Sequence, residues 1–404
     1  MQQNANGTDI AVIGGGPAGM AAALEAAARG FDVTIVSPPD RRPDQRTTAL
    51  MMPAIAWLEA HGVWQALQGS VAPLRTMRIL DATGRLVRSP PATFRASEID
   101  ETAFGYNMPN TALNAALAQA VDAEPRIRRV IAKSEWVRIG DRSVTIGIED
   151  AGPVEAQLAV AADGRKSSTR IAARIDTVEW SYPQTALVTC FSHQRPHGDA
   201  SNEFHTVTGP FTTVPLPGNR CSLVWVETPH RARELAALDP AALSRIIEER
   251  MQSMLGKVEV DAPVQLWPLS GMVARRFAED RVLLVGEAAH AFPPIGAQGL
   301  NLGLRDVADF GACLPAAGGD PGAPAILAAY DRTRRSDVLM RTGAVHALNH
   351  SLLSPWLPAQ IARGVGLSML SAFPPLRGLF MREGMAPGSG LSAAGRTLRE
   401  RVGR

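Results

Sequence analysis

A glycine-rich turn near the start of the chain restricts the possible folds more than any other feature of the sequence. Residues 9–13 have the pattern of a short apolar strand, residues 20–29 that of an alanine-rich helix, and residues 31–36 that of a second strand. Three glycines in G-x-G-x-x-G spacing occupy the turn between the first two elements: Gly14, Gly16 and Gly19. This order of strand, turn, helix and strand is typical of a dinucleotide-binding unit.

Each glycine in this turn is favoured for a physical reason. Gly14 permits a tight turn, Gly16 lets a pyrophosphate approach the backbone, and Gly19 lets the helix pack closely on the strand. Pro17 and Ala18 lie in the same turn, just before the helix, whose free amides and dipole favour phosphate groups. We therefore predict that all five residues bind a dinucleotide, and the alternative is a glycine turn in an ordinary α/β domain.

The end of the second strand departs from the usual pattern. An acidic residue is expected there, to bind the ribose hydroxyls of the adenosine half, but the chain has Ser37. Serine can still form a hydrogen bond, without charge, so we expect a weaker contact. Asp40 is an alternative ligand for this ribose.

Two later segments also follow strand patterns. The first, "AADGRKSSTR", places Asp163 and Gly164 after an apolar run. The second is residues 285–306, "VGEAAHAFPPIGAQGLNLGLRD", whose only acidic residue before the final Arg-Asp pair is Glu287. An Asp-Gly turn alone carries little information because it is common in ordinary turns. The order of the three segments along the chain gives each of them weight.

The three segments together resemble the signature of flavoprotein monooxygenases of the p-hydroxybenzoate hydroxylase type, over most of the chain. Three further stretches resemble the ubiquinone-biosynthesis hydroxylases within that group: "DQRTTAL" (44–50), "PIGAQGLNLGLRDVADF" (294–310) and "YDRTRRSDVLMRTGAVHALNHSLLS" (330–354). The resemblance implies an α/β fold with a discontinuous, Rossmann-like FAD-binding domain, an antiparallel β-sheet substrate domain and C-terminal helices. It implies FAD-binding segments 1–73, 105–177 and 271–340, substrate-domain segments 74–104 and 178–270, and a helical segment 341–404.

The resemblance also implies roles for residues around the flavin. Asp163 and Gly164 would contact the phosphate and ribose region, Arg46 the cofactor from the side, and Gly286 and Glu287 the ribityl chain. The usual residue in the place of Glu287 is Asp, so the charge is kept and the side chain is longer. The remaining residues would lie near the flavin ring or its pyrimidine end: Pro293, Gly296, Gly299, Leu300 and Asn301.

The implied activity is FAD-dependent hydroxylation of the aromatic ring of a polyprenylated phenol in ubiquinone biosynthesis, through a flavin C4a-hydroperoxide. NAD(P)H or another donor would supply electrons and O₂ would be the co-substrate. Because the cofactor carries this chemistry, no catalytic side chain is assigned. Only one G-x-G-x-x-G is present, which argues against two-nucleotide disulfide reductases. Two alternatives stay open: a soluble aromatic-compound hydroxylase of the same fold, and a non-hydroxylating flavoprotein that scaffolds a biosynthetic complex.

Composition excludes several other classes of protein. The net charge of +2 gives no field for nucleic acid, and three scattered cysteines fit a reducing compartment rather than a disulfide framework. We find no secretory signal and no apolar run long enough to span a bilayer. We therefore expect a cytoplasmic protein, with peripheral contact at the inner face of the membrane, a homodimer or a biosynthetic complex left open.

Three side-chain groups have less specific interpretations. Cys190, His193 and His197 could ligate a metal, but Pro196 interrupts any shared helical face, so we predict no metal site. For His290 we favour a packing or positioning role over catalysis. Three tryptophans are expected to pack in the core or on a sheet face, with the substrate cavity as the alternative: Trp180, Trp225 and Trp267. In the arginine-bearing C-terminal segment, packing is slightly favoured over an interfacial helix.

Overall fold

The structure is a computed structural model that describes residues 7–39, 44, 46–84, 90–293, 298–353 and 373–385, without the side chains of residues 344–353. Within these residues the strands are, in chain order, β1 (Gly7–Ile13), β2 (Val33–Ser37), β3 (Thr47–Met51), β4 (Ala72–Pro73), β5 (Thr76–Asp81), β6 (Ala92–Arg95), β7 (Gly105–Pro109), β8 (Ile127–Ile131), β9 (Ser134–Ile139), β10 (Val144–Ile148), β11 (Ala151–Ala161), β12 (Thr177–His193), β13 (Ala200–His205), β14 (Pro210–Leu216), β15 (Arg220–Glu227), β16 (Val258–Val260), β17 (Gln265–Ala274), β18 (Ala278–Glu279), β19 (Val282–Leu284) and β20 (His290–Ala291).

The same residues contain helices α1 (Pro17–Ala28), α2 (Met52–Ala60), α3 (Asn110–Ala123), α4 (Ser168–Ala172), α5 (Pro229–Ala236), α6 (Pro240–Arg250), α7 (Gln298–Cys313), α8 (Pro324–Leu353) and α9 (Pro374–Met385). Three short 3-10 helices cover Trp64–Ser70, Ala96–Ile99 and Gly286–Ala288. No helix in this described part is long and apolar enough to cross a membrane.

The first sheet is built around parallel strands in the order β19, β11, β1, β2 and β8. The strands read as apolar runs because helices cover them, and every residue of β2 is buried. The long strand β11 pairs through its first half with antiparallel β10 and through its second half with β19. The carboxyl ends of β1, β11 and β19 therefore lie side by side at one edge of the sheet.

The second sheet has nine strands and is antiparallel except where β13 pairs with β5. Side chains alternate along β15: Leu223 and Trp225 are fully buried in a core shared with α5 and α6, while Val224 and Val226 point to the opposite face. That opposite face contacts the first half of the molecule, because Asn107 on β7 donates a hydrogen bond of 2.8 Å to the carbonyl of Pro215 on β14.

The two sheets are joined at the second glycine-rich segment, because β20 within it pairs with β17 of the antiparallel sheet. The sheet β3–β7–β4 is a third, smaller layer. This arrangement confirms the predicted fold class of a Rossmann-like unit, discontinuous in sequence, with an antiparallel sheet. Of the segment predicted as C-terminal helices, residues 354–372 and 386–404 lie outside the described residues.

Candidate active site

Three loops leave the carboxyl ends of the adjacent parallel strands β1, β11 and β19. Backbone hydrogen bonds fix their starting points: Gly14 N donates to Val36 O at 2.9 Å, and Val285 N donates to Ala161 O at 3.0 Å. Ala162 N donates to the last carbonyl of β1 at 2.8 Å. The three motifs of the sequence therefore meet at the edge of the sheet where open α/β folds bind their ligands.

The first loop is shaped by the steric properties of glycine. Gly14 has a φ of +119°, and a Cβ at this residue would overlap the carbonyl oxygen of Ala162. A Cβ at Gly19 would overlap Gly14 O, so both positions require glycine. At Gly16, by contrast, no described atom lies within 4 Å of the place a Cβ would take. The backbone is therefore tightly packed at Gly14 and Gly19, whereas the space beside Gly16, between them, is open.

Helix α1 begins in this open space. Gly16 is its N-cap and no side chain caps the helix there, while Pro17 occupies the first helical position. The first amides of a helix have no acceptor within the helix, and here no side chain supplies one. They are therefore available for an anion, and the helix dipole favours it.

Ser37 lies at the carboxyl end of β2, as predicted, and is buried. Its hydroxyl oxygen stands 2.6 Å from the place that a Cβ of Gly15 would take, so the side chain faces the first loop. The position is therefore next to the turn, where an acidic residue would contact a ribose. Asp40, the alternative ligand, lies outside the described residues.

Arg46 is held over an aromatic ring by a carboxylate that sequence reasoning missed. Asp44 accepts hydrogen bonds of 2.8 and 2.7 Å from Arg46 and a further one of 2.8 Å from Asn110. The guanidinium carbon lies 4.8 Å from the ring centroid of Trp267. The hydrogen bond to Asp44 raises the pKa of Arg46, and the charge of Glu287 adds to the effect. Burial disfavours the charge on Asp44, yet the hydrogen bonds from Arg46 and Asn110 keep its pKa below the ordinary value.

Asp163 has two different environments at its two oxygens. Oδ2 accepts hydrogen bonds from the backbone amide and hydroxyl of Thr169, at 3.1 and 3.0 Å, and so supports the start of α4. Oδ1 is buried and has no hydrogen-bond partner in the described part of the chain. One oxygen of this carboxylate thus accepts hydrogen bonds from its own loop, and the other is available to a donor on a bound ligand.

Arg170 links the second loop to the third, a connection that the sequence gave no reason to expect. Its Nη1 donates to the carbonyl of Ala288 at 2.8 Å and its Nη2 to the carbonyl of Arg165 at 3.1 Å. Arg170 is buried, and this burial lowers its pKa. Since only backbone carbonyls accept from it here, its function in the fold is to hold two loops together.

In the third loop, Gly286 has a φ of +60° and packs against the first turn of α1. A Cβ at Gly286 would lie 2.9 Å from the Cβ of Ala18, and one at Gly303 would lie 3.7 Å from the same atom. Glu287 is the one exposed residue between residues 281 and 291, all of which the structure describes. The close packing of small residues thus presents a carboxylate beside the start of α1.

Behind the third loop lies a buried ionic network centred on Asp306. Its Oδ2 accepts a hydrogen bond of 2.9 Å from Gly286 N and lies 2.7 Å from His290 Nε2, while its Oδ1 accepts from Arg334 Nε at 2.8 Å. Asp306 and Arg334 are completely buried. Burial disfavours the charge of Arg334, but the nearby Asp306 raises its pKa, so the cation persists. In this geometry His290 positions the loop, which is the role favoured from the sequence.

The start of α7 supplies the remaining predicted positions. Asn301 uses its side chain to hold β3, since Nδ2 donates to Ala49 O at 2.7 Å and Oδ1 accepts from Met51 N at 2.8 Å. No described atom lies within 4 Å of the place a Cβ of Gly299 would take. Leu300 lies between them in the first turn and is half-buried.

Two other predicted positions lie just before α7. Pro293 is buried at the end of the third loop. Gly296 lies outside the described residues.

Comparison with known proteins shows to which family a chain with this arrangement of loops belongs. The family described as "FAD binding domain" matches residues 7–342, which is most of the chain. The chain belongs to this FAD-binding family. It is 33% identical to the ubiquinone hydroxylase UbiL of Rhodospirillum rubrum over 387 residues, which cover 93% of this chain and 89% of that protein. It is also 33% identical to the 3-demethoxyubiquinol 3-hydroxylase of Escherichia coli over 310 residues, 74% of this chain and 78% of that protein.

Solved structures confirm the fold of this FAD-binding protein. The p-nitrophenol 4-monooxygenase PnpA of Pseudomonas putida superposes with a TM-score of 0.77 at 19% identity, covering 96% of this chain and 98% of that chain. PqsL of Pseudomonas aeruginosa, a probable FAD-dependent monooxygenase, superposes with a TM-score of 0.74 at 22% identity, over 90% and 100%. Together with the family and its hydroxylase relatives, the fold identifies the chain as an FAD-dependent aromatic hydroxylase.

The geometry of the loops fits an FAD molecule. The open space at Gly16 and Gly299, the uncapped start of α1 and the buried free oxygen of Asp163 are all features that a bound dinucleotide would fill or engage. Glu287 and Arg46 provide charge of both signs beside this space. Apart from Arg46, these features occur on three segments that are each separated from the next by more than a hundred residues along the chain.

Most of the remaining side chains singled out from the sequence lie outside this site. His193 Nδ1 lies 2.8 Å from Arg195 O, and His197 Nε2 lies 3.0 Å from two backbone carbonyls. No metal-binding group of three or more His, Cys, Asp or Glu residues occurs in the described parts of the chain. Trp225 is in the core, whereas Trp267 is partly exposed beneath Arg46 and belongs to the site. Trp180 packs against Gly271.

Proposed function

We propose that this hydroxylase acts on the aromatic ring of a polyprenylated phenolic precursor in ubiquinone biosynthesis. The observation that carries the proposal is the similarity, along almost the whole chain, to a protein named as a ubiquinone hydroxylase. A second ubiquinone-pathway hydroxylase from Escherichia coli supports it. The monooxygenases with the same fold are less than 25% identical, so they support the fold and leave the substrate open.

The loops described above would hold the FAD. The amides of Ala18 and Gly19 at the start of α1 would bind the pyrophosphate, with Gly14, Gly16 and Pro17 shaping the turn. Ser37 would contact the adenosine ribose. Six further residues would line the phosphate, ribityl and pyrimidine regions: Arg46, Asp163, Gly164, Gly286, Glu287 and Pro293. Four more would complete the ring site at the start of α7: Gly296, Gly299, Leu300 and Asn301.

When bound, FAD supplies the redox chemistry, with NAD(P)H or another donor as reductant and O₂ as the oxygen source. The protein's own contribution is binding, orientation and exclusion of water. The first amides of α7 and the positive end of its dipole would stabilise negative charge on the bound cofactor. The apolar face of the antiparallel sheet opposite this region, with Val224, Val226 and Leu269, would shield the reacting ring from water.

Two expectations about organisation belong to the same proposal. The FAD-binding part would comprise residues 1–73, 105–177 and 271–340, and the substrate part residues 74–104 and 178–270. A small prenylated phenol would be the substrate, and the C-terminal segment 341–404 would contact a membrane, a biosynthetic complex or a second subunit. Contact with the inner face of the membrane would fit a substrate that resides in lipid.

Deletion of the gene in its host, followed by mass spectrometry of the extracted quinones, tests the assignment of the substrate. We expect loss of ubiquinone and accumulation of a prenylated precursor that lacks one ring oxygen, whose structure identifies the position hydroxylated. An unchanged quinone pool, in a host without a second hydroxylase that covers the loss, would contradict the ubiquinone assignment. The activity would then be that of an aromatic hydroxylase with another substrate.

A further inference from the structure

Strand β13 carries a glutamate and a histidine whose side chains form a pair. His205 Nε2 lies 2.7 Å from Glu203 Oε1, and because the two residues are two positions apart, both point to one face of the sheet. His205 is buried, with 6% of its surface exposed, whereas the side chain of Glu203 is 24% exposed. A buried imidazole in contact with a carboxylate is an arrangement that enzymes use for proton transfer.

The register of the antiparallel sheet shows which face the pair occupies. Glu203 lies opposite Thr212 on β14, and Thr212 lies opposite Val224 on β15. Residues that lie opposite each other on paired strands share a face, so Glu203, and with it His205, is on the same face as Val224. Two strand spacings separate them, which is about 10 Å. Val224 belongs to the apolar face that we propose shields the reacting ring.

This face is also the one that meets the FAD-binding half of the molecule. Ser222, two positions before Val224 on β15, accepts a hydrogen bond of 3.3 Å from Asn107 on β7. Trp267 of the candidate site lies opposite Ala186 on β12, whose side chain packs in the same apolar cluster as Val224. The pair on β13 therefore borders the region in which we propose that the substrate binds.

The two nitrogens of the His205 ring have different environments. Since an ionised carboxylate only accepts hydrogen bonds, Glu203 places the proton of the neutral imidazole on Nε2. Nδ1 then carries the lone pair, and the described part of the chain gives it no hydrogen-bond partner. Asp81, beside His205 on β5, is held by its own turn, where Thr83 Oγ1 donates to Asp81 Oδ1 at 2.6 Å. His205 thus has one nitrogen oriented by Glu203 and one that can accept a proton.

The two other histidines that are buried in the described residues have different surroundings. His290 Nε2 contacts Asp306 in the network behind the third loop. His193 lies on the opposite face of the sheet, since it is two positions from Phe191 in the core shared with α5 and α6, and its Nδ1 lies 2.8 Å from Arg195 O. Among these three, the histidine of β13 combines an oriented imidazole with a place on the proposed substrate face.

We propose that His205 is the base that takes the proton of the phenolic hydroxyl of the substrate, and that Glu203 positions it. The inference deepens the proposed function and rests on it, because it requires a phenol as substrate. The O–H bond of the phenol breaks, the proton forms an N–H bond at Nδ1, and the electron pair stays on the oxygen. Glu203 stabilises the imidazolium that results.

The transfer has a chemical purpose. A phenolate donates more electron density into its ring than a phenol does, which favours the addition of an electrophilic oxygen atom to a ring carbon. When the product forms, the proton returns from Nδ1 to the same oxygen, so the pair is unchanged after each cycle. A base of this kind typically contributes a factor of about 100 to 10,000 to the rate.

Turnover of two short-prenyl phenols of different acidity by the FAD-loaded protein tests this proposal, with the hydroxylated product measured by mass spectrometry. One phenol is otherwise unsubstituted, and the other carries ring fluorine, which lowers the pKa of its hydroxyl below the ordinary value of about 10. Near neutral pH we expect His205→Gln to lower kcat about 100-fold or more with the first phenol. The loss should be much smaller with the fluorinated phenol, and should decrease as pH rises, because the phenol then ionises without a base.

His193→Gln is the matched control, because His193 is also 6% exposed but lies on the opposite face of the sheet. We expect both variants to retain FAD and to lower the melting temperature to a similar degree, while the control keeps the kcat of wild type. Glu203→Gln should lower kcat about tenfold or more, and Glu203→Asp should recover part of this loss because it keeps a carboxylate.

A kcat of His205→Gln like that of wild type would overturn the proposal. So would a loss that is the same at every pH and for both phenols, because the imidazole would then support only the fold or the shape of the site. If His205→Gln does not fold or retain FAD, the dependence on phenol acidity is measured with Glu203→Gln, and its absence there overturns the proposal equally. Wild type that hydroxylates neither phenol would contradict the proposed function and this inference together, whereas unaffected variants of an active wild type contradict the inference alone.

Discussion

The Gly14 and Gly286 turns border the same open region but are held in place in different ways. The Gly14 turn is fixed by sterics, because added atoms at Gly14 and Gly19 would overlap backbone oxygens. The Gly286 turn is fixed by charge, because the completely buried Asp306 accepts its amide hydrogen bond and is paired with Arg334. Steric packing of the backbone supports the first half of the site, and long-range electrostatics support the second.

This difference has a consequence for stability. A turn held by backbone sterics tolerates changes in the side chains around it, since its shape is set by the glycines themselves. A turn held by a buried ion pair depends on partners from two other elements, α7 and α8. Removing Asp306 leaves Arg334 with two of its three carboxylate partners and Gly286 N with no acceptor. A buried donor that loses its partner costs more than the hydrogen bond itself contributes.

The largest effect is expected from Asp306→Ala, which removes the carboxylate that holds the Gly286 turn. Arg334 keeps Asp309 and Asp337 as partners, but the change removes its buried bond to Asp306 and leaves Gly286 N without an acceptor. The lost charged hydrogen bond costs about 1.5–3 kcal/mol and the unsatisfied amide about 1–3 kcal/mol more. We expect a corresponding loss in the free energy of unfolding, measured with urea, together with loss of bound FAD. The control is Asp32→Ala, which removes a carboxylate from an ion pair with Arg126 in which both side chains are exposed, so the loss should stay below about 1 kcal/mol.

Replacing both partners sharpens the test. Asp306→Leu combined with Arg334→Met exchanges the ion pair for apolar side chains of similar size, and we expect it to be more stable than Asp306→Ala alone. A loss for Asp306→Ala no greater than that of the surface control would contradict the central position of this network.

The second prediction separates two functions of glycine in the Gly14 turn: fitting against the backbone, and leaving space for the cofactor. Gly14→Ala should destabilise the protein by about 1–3 kcal/mol or more, because the residue has a positive φ and the methyl group would overlap Ala162 O. Gly16→Ala should leave thermal unfolding of the FAD-free protein unchanged, since that site is open. It should nevertheless weaken FAD binding by about tenfold or more, because the methyl group enters the space of the pyrophosphate.

Flavin fluorescence titration measures the affinity, and differential scanning calorimetry measures stability. If both variants lowered stability to the same degree, or if Gly16→Ala bound FAD like wild type, the open space at Gly16 would have no relation to the cofactor.

The third prediction concerns the ionic contact in the first half, where Glu25 on α1 lies 3.1 Å from His61. Burial disfavours both charges, but the hydrogen bond between them lowers the pKa of Glu25 below 4.5 and raises the pKa of His61 above 6.5. The contribution of Glu25 is present above its unfolded pKa and is lost as pH falls through the folded value. That of His61 is present below its unfolded pKa and is lost as pH rises through the folded value.

Both contributions are therefore complete between pH 4.5 and 6.5. The difference in melting temperature between wild type and His61→Gln should be greatest in this range and decrease at higher pH. His230→Gln, at an exposed residue with a carboxylate at 3.4 Å, serves as control and should show little change. A difference for His61→Gln that does not vary with pH would show that the pair is held by packing alone.

The smallest effect is expected from Ser37→Asp, which would restore the charge that the first half lacks. A charged acceptor binds a ribose hydroxyl about twice as strongly as a neutral one, so we expect FAD affinity to rise about fivefold. Stability without FAD should fall, because the residue is buried. Titration of both proteins with FAD checks this, and an unchanged or lower affinity would mean that Ser37 does not face the adenosine ribose.

The same contrast explains what could be predicted from sequence. The Gly14 turn could be predicted because its glycines lie within a few positions of each other and their spacing is distinctive, although Ala162, whose carbonyl requires glycine at Gly14, lies far along the chain. The network of Asp306 and Arg334 was not, because nothing local distinguishes these residues from exposed charges of α7 and α8. Asp44 was missed for a related reason. It pairs with Arg46, but its second partner, Asn110 at the start of α3, is distant in sequence.

Other parts of the site needed the three-dimensional fold as well. The sequence predicted an amide-bearing helix start at residues 299–301, but not that the side chain of Asn301 would hold β3, 250 residues away along the chain. The buried link from Arg170 to Ala288 similarly depends on two strands being neighbours. Patterns with a local period are visible in sequence, whereas contacts that depend on strand order are not.

One measurement tests the central claim most directly, that the two halves together hold one FAD used to hydroxylate a phenol. Purified protein with one FAD per chain is supplied with reductant, a short-prenyl phenol and ¹⁸O₂, and the product is analysed by mass spectrometry. We predict substrate-dependent consumption of reductant and a product that carries one ¹⁸O atom on its ring. Consumption of reductant that yields hydrogen peroxide and leaves every candidate phenol unchanged would contradict the claim.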